Sequence, residues 1–151
     1  FIFWEVWGVK RPMLARYSTE YITTRKRVTV AKRVLVVEDN ELNLKLFCDL
    51  LRAHGFVVEP VKDGREVLDK ARSFVPNLII MDIQLPHVSG LELIEQIKKD
   101  PQLKIIPIMA VTAYAGKGDE DRILTAGAEA YVSKPISVAK FIESVQKVLH
   151  R

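Results

Sequence analysis

Between Arg33 and Leu149 the sequence alternates, five times over, a short run of β-branched and apolar residues with a longer segment of helical periodicity. That alternation constrains the fold more than any other feature. Runs such as Val34 to Val37 and Leu78 to Met81 are apolar at every position. A strand built from such a run needs cover on both faces, and helices between consecutive strands supply it for a parallel sheet. The expected strands are 33–37, 56–61, 77–81, 106–111 and 129–132, and the expected helices lie near 41–53, 64–74, 90–99, 118–125 and 138–149. The fold class is therefore α/β, a doubly wound five-stranded parallel sheet with five helices.

Local chemistry supports these boundaries. Asn40 stands where a side-chain oxygen caps the first helix, Leu44, Phe47 and Leu51 follow at core spacing, and Gly55 suits the left-handed residue that ends it. Asp63-x-x-Glu66 and Ser89-x-x-Glu92 read as capping boxes of the second and third helices. The fifth helix starts after Ser137 and presents Phe141, Val145 and Val148 along one side. The fourth is the weak one. Residues 117–122 are all polar or glycine, only Ile123, Leu124 and Ala126 are left to anchor it, and it is expected to be the most mobile.

With 151 residues, 48% of them hydrophobic, the chain can bury one sizeable core. Its longest apolar runs fall far short of the ~20 residues needed to span a bilayer, so a membrane span is excluded and a cytoplasmic location is expected. The single cysteine, Cys48, sits among Leu44, Phe47 and Leu51 and reads as a buried, reduced thiol. His54, His87 and His150 show no metal-ligand spacing and are expected at the surface or in loops.

The net charge of +4 is unevenly spread: residues 1–33 hold eight Lys or Arg against Glu5 and Glu20, while the rest is slightly acidic. Residues 1–30 are expected to be a basic extension, disordered or derived from a leader or cloning remnant, with the folded domain over 31–151. The opening FIFWEVWGV carries its positive charges after the apolar stretch rather than before it, which argues against a secretory signal. Contacts of the basic extension with nucleic acid are the runner-up function, to be revealed by a salt-dependent DNA shift lost on removing residues 1–30. A specific nucleic-acid role is otherwise not expected, because the footprint of such binding is a basic face on a folded module.

In an open α/β sheet, ligands gather beyond the carboxyl ends of the strands. The first strand ends in Glu38-Asp39, the third in Asp82, the fourth in Thr112-Ala113, and the fifth is followed by Lys134-Pro135. Carboxylates brought together there repel one another by about 4 kcal/mol per pair at ~4 Å and an effective dielectric of ~20. A divalent cation removes that conflict, and an all-oxygen site with room for water and phosphate suits Mg²⁺.

These residues carry a resemblance. VLVVEDN, MDIQLP, VTA and SKPI resemble, in order and spacing, the receiver domain of bacterial two-component response regulators over essentially all of Arg33 to Leu149. VEDNELN, VTAYAGKGDE and YVSKPIS are similar to the stand-alone DivK type of alphaproteobacterial cell-cycle control. The resemblance implies a flavodoxin-like sheet of strand order 2-1-3-4-5. It makes Asp82 the phosphoacceptor, Asp39 a direct Mg²⁺ ligand, Glu38 a ligand largely through water, and Gln84 a ligand through its backbone carbonyl. Lys134 would pair with phosphate oxygens, Thr112 would bond the phosphoryl group, and Tyr131 would be the rotating aromatic of the switch. A cis peptide is expected between Lys134 and Pro135.

The implied protein is a signalling switch rather than an enzyme, with phosphotransfer and slow self-dephosphorylation its only chemistry. Its partners would be a sensor histidine kinase or histidine phosphotransfer protein, and a downstream protein reading the face of the fourth helix, fifth strand and fifth helix. Only two residues follow the last helix, so output is expected through protein contacts rather than an attached DNA-binding module. The fold alone would equally suit a flavodoxin-like cofactor binder, but Glu-Asp-Asn after the first strand repels phosphate without a metal. A phosphatase of the haloacid dehalogenase type would need an Asp-x-Asp pair after its first strand, which the chain lacks there.

Overall fold

The computed structural model describes residues 30–113 and 116–150. The basic extension expected over 1–30 lies outside them except for Val30. In chain order the elements are β1 Arg33–Val37, α1 Glu41–Ala53, β2 Val57–Val61, a 3₁₀ turn Gly64–Glu66 leading into α2 Val67–Phe74, β3 Leu78–Asp82, α3 Gly90–Lys99, β4 Ile108–Thr112, α4 Lys117–Ala126, β5 Ala130–Ser133 and α5 Val138–Leu149. The five strands form one parallel sheet in the order β2-β1-β3-β4-β5. Every residue of β3 and β4 is buried, the pattern a sheet covered on both faces imposes.

Two apolar layers provide the cover. On one side Leu35, Ile79, Met81, Ile108 and Ala110 pack against Val67 and Ala71 of α2, Leu93, Ile94 and Ile97 of α3, and Ile123 of α4. On the other, Val34, Val36, Ile80, Met109 and Val111 meet α1 and α5. Phe47 and Phe141 stack there at 5.0 Å between ring centroids, joining the two helices. Each such buried ring contributes roughly 1.5–3 kcal/mol by burial.

Several helix ends follow the expected caps. Asn40 accepts the Asn43 N–H, Ser89 and Glu92 form a capping box on α3, and Gly55 has φ +87°. Asp63 does not form one. Its carboxylate accepts the Arg65 N–H and is further engaged by the Arg65 guanidinium. Leu124 is 43% exposed, and among the described residues of α4 only Ile123 is buried. That helix starts at Gly116 without a side-chain cap, so its anchoring is weaker than the sequence suggests. Strands β2 to β5 start one or two residues later than expected, and β3, β4 and β5 end one residue later, so that Asp82 and Thr112 each complete a ladder. Cys48 is buried, whereas His54, His87 and His150 are exposed.

Candidate functional site

Strand order reverses between β1 and β3, and the carboxyl ends of these neighbours bring Glu38 and Asp82 together. The ladders fix the backbone there. The Glu38 N–H donates to Val61 O at 3.0 Å, the Ile83 N–H to Val111 O at 3.0 Å, and the Lys134 N–H to Thr112 O at 2.8 Å. Carboxylate oxygens of Glu38, Asp39 and Asp82 all lie within 4.8 Å of one another. Glu38 and Asp82 are 1% and 2% exposed, while Asp39 faces solvent.

Lys134, after β5 and before a cis bond to Pro135, completes the cluster. Its Nζ lies 3.2 Å from Glu38 Oε1 and 3.4 Å from Asp82 Oδ2. The Glu38 contact is an ion pair without hydrogen-bond alignment, so among the described residues this buried Oε1 has no donor. The other oxygen, Oε2, accepts the Asn40 N–H at 3.2 Å. Burial, then the hydrogen bond and charge of Asp82, push the Glu38 carboxyl up to about 7 against the pull of the Asn40 N–H and Lys134. Burial works against the charged form of Lys134, but the charges of Asp82 and Glu38 outweigh it and raise its pKa.

A cluster of three carboxylates with one buried, undonated oxygen fits a hard divalent cation taking oxygen ligands. Glu38, Asp39 and Asp82 are the side chains that would hold it. Gln84 adjoins the cluster. Its N–H donates to Asp82 Oδ1 at 3.1 Å, and its side-chain Oε1 accepts the Ala113 N–H at 3.3 Å. Thr112 is buried at the end of β4, next to Gln84 across a cavity of about 240 Å³. Tyr131 stands apart from the acids. It pairs with Ala110 in the β4–β5 ladder and packs on the layer that contains Ile123, and the Glu120 carboxylate of α4, with desolvation, raises the phenol pKa.

One residue of the site escaped the sequence reading. Gly90 donates its N–H to Ile83 O at 3.1 Å and closes the loop after Asp82. A Cβ there would stand 2.2 Å from the Asp82 carbonyl oxygen and 2.7 Å from Ile83 Cα. The available signal was a glycine at the first position of a capped helix, a poor choice on propensity alone.

A doubly wound sheet with an acidic cluster at its switch point and a lysine across from it defines a receiver. The chain matches the response regulator receiver domain family over residues 34–146, and it belongs to that family. It is 55% identical over 120 residues to the polar-differentiation response regulator DivK of Brucella ovis, covering 80% of this chain and 98% of that one. The DivK of Brucella anthropi is 56% identical over 118 residues, covering 78% and 96%. Among solved structures, the chemotaxis protein CheY4 of Vibrio cholerae superimposes with a TM-score of 0.75 at 27% identity, covering 79% of this chain and 99% of that one. The receiver domain of a sensor histidine kinase from Pseudomonas aeruginosa, described with a magnesium ion coordinated in its active-site cleft, gives 0.74 at 30% identity, covering 81% and 100%. Among the described residues no helix is long and apolar enough to cross a membrane.

Proposed function

We propose that this receiver is a phosphorylation switch in which Asp82 accepts a phosphoryl group from a histidine kinase or histidine phosphotransfer protein, with Mg²⁺ held by Glu38, Asp39, Asp82 and the Gln84 backbone carbonyl. The observation that carries the reading is the buried Asp82 carboxylate with two further carboxylates within 4.8 Å and the Lys134 ammonium 3.4 Å away. In the transfer, an Asp82 oxygen bonds to phosphorus as the P–N bond to the donor imidazole breaks. The electron pair of that bond stays on the imidazole nitrogen, which leaves as neutral imidazole because the other ring nitrogen carries the proton. Such transfers depend mainly on positioning and charge stabilisation. The Gln84 N–H orients Asp82 through Oδ1, and Lys134 balances charge on the arriving oxygens. The cation, when bound, neutralises the carboxylates and phosphoryl group together.

The added charge of about −1.5 to −2 would draw Thr112 and Lys134 toward Asp82. That movement would pull on the weakly anchored segment leading into α4 and turn Tyr131 inward. Output would then pass to a protein partner through the α4–β5–α5 face. Similarity to relatives named for polar differentiation supports a role in cell-cycle or developmental signalling, and the switch would act in the cytoplasm. The receiver domain would comprise residues 31–151, with 1–30 as a basic extension. Phosphotransfer profiling against candidate kinases tests the reading: the chain should take label in Mg²⁺ and lose it with EDTA or Asp82→Asn. Labelling of the Asp82→Asn chain at the parent rate would overturn it.

A further inference from the structure

Gln84 touches both the Asp82 carboxylate and the first residue beyond β4. Its backbone N–H serves Asp82 Oδ1 at 3.1 Å, and its side-chain Oε1 takes the Ala113 N–H at 3.3 Å. Ala113 is the first residue beyond β4, where the ladder has ended. Its amide is therefore held by a side chain from a neighbouring loop, 29 residues away in sequence, rather than by a strand.

We infer that the Gln84 carboxamide is a latch that holds the start of the β4–α4 segment in the resting position and so sets how readily this receiver switches. The inference rests on Asp82 being the phosphoacceptor. Two features make the latch releasable. Gln84 and Ala113 are both exposed, so water replaces the bond when it opens. The neighbouring cavity of about 240 Å³, lined by Ile83, Leu91, Thr112 and Ile123 among others, leaves room for Thr112 to shift. Modifying Asp82 also alters the acceptor of the Gln84 N–H, and displacement of that backbone carries directly to the carboxamide and thus to Ala113. A net hydrogen bond between neutral groups corresponds to about a two- to tenfold effect on an equilibrium, so removing the latch biases the switch without abolishing it.

The test compares the full chain with Gln84→Met, which keeps length and removes the acceptor, and Gln84→Glu, which keeps an acceptor. Mg²⁺ and beryllofluoride are the probes, with Mg²⁺ affinity measured separately for each chain. Relative to its own Mg²⁺ affinity, Gln84→Met should bind beryllofluoride about two- to tenfold more tightly. Its Ala113 amide should exchange faster than in the parent chain without ligand, whereas Gln84→Glu should keep that amide protected. An unchanged or weaker beryllofluoride ratio in Gln84→Met overturns the latch, as does unchanged exchange at Ala113. A parent chain that takes no beryllofluoride in Mg²⁺ overturns the Asp82 reading and the latch with it. A parent that takes it, with no difference in Gln84→Met, overturns the latch alone.

Discussion

Glu38 Oε1 lies 3.2 Å from Lys134 Nζ yet receives no hydrogen bond from it. The pair is close enough for Coulomb attraction but, among the described residues, leaves a buried acid oxygen without a donor, and the carboxyl rises from 4.5 to about 7 through burial and the neighbouring Asp82. Between those values the folded chain keeps a proton that the unfolded chain has released. Because the folded state binds more protons, stability of the metal-free chain should fall as pH rises from about 4.5 to about 7. Lys134 stays charged throughout this window because its pKa is raised from 10.5. Asp63, lowered from 3.8 to about 2 chiefly by its hydrogen bonds with Arg65, acts in the opposite sense and only at lower pH, its contribution being lost as pH falls through about 2. Urea denaturation in EDTA across this range should show the decline, and Glu38→Gln should flatten it. Equal slopes in the two chains would refute the assignment to Glu38.

Lys134 offers a different test. Replacing it with Met removes positive charge beside the acids, so Mg²⁺ should bind at least as well. Phosphoryl acceptance should nevertheless drop on the order of 10²- to 10³-fold, the usual loss when one charge-stabilising donor is removed. Titration calorimetry and acceptance from a small acyl-phosphate donor separate the two effects. A tenfold loss of Mg²⁺ affinity would mean that Lys134 organises the acids rather than the phosphoryl group.

Gly90→Ala should be disproportionately harmful for a single methyl group. The new Cβ meets backbone at 2.2 Å, on the Asp82 carbonyl oxygen, and backbone cannot rotate aside as a side chain does. A loss of about 1–3 kcal/mol is expected, in the range of overpacked interiors, together with reduced phosphoryl acceptance because the displaced residue is Asp82 itself. Gly118→Ala is the contrasting substitution. Nothing lies within 4 Å of its Cβ position, so it should stabilise α4 by up to about 1 kcal/mol. Urea midpoints of the two variants should move in opposite directions.

The sheet was legible because β1, β3 and β4 each carry four consecutive apolar residues, Val34 to Val37, Leu78 to Met81 and Ile108 to Val111, and the candidate site because Glu38, Asp39, Asp82, Thr112 and Lys134 sit at or just beyond strand ends that the topology sets side by side. What escaped depends on distance in space. Lys98 Nζ collects Lys104 O, Ile106 O and the Glu129 carboxylate, the last from 31 residues away, and no local pattern announces such a knot. The Gln84–Ala113 bond and the Gly90 contact are of the same kind. Asp63 failed as a capping box because its carboxylate is engaged by both the N–H and the guanidinium of Arg65, a competition the Asp-x-x-Glu spacing does not display. Leu124 misled because helical periodicity gives a face without its phase when the first six residues are polar.

The weak anchoring of α4 leads to the last prediction. Its N-terminus lacks a side-chain cap and only Ile123 is buried among its described residues. Local opening free energy follows buried contacts, so α4 amides should exchange fastest among the helices of the resting chain. Tyr131 of β5 packs on the layer that contains Ile123 of α4, so a shift of Thr112 and Ala113 should disturb α4 and β5 together. Hydrogen exchange with Mg²⁺, with and without beryllofluoride, should therefore change across residues 113–140 and leave β1 and α2 nearly unaltered. Exchange that changes only around Asp82, with residues 113–140 untouched, would show that phosphorylation at this site has no structural route to the α4–β5–α5 face.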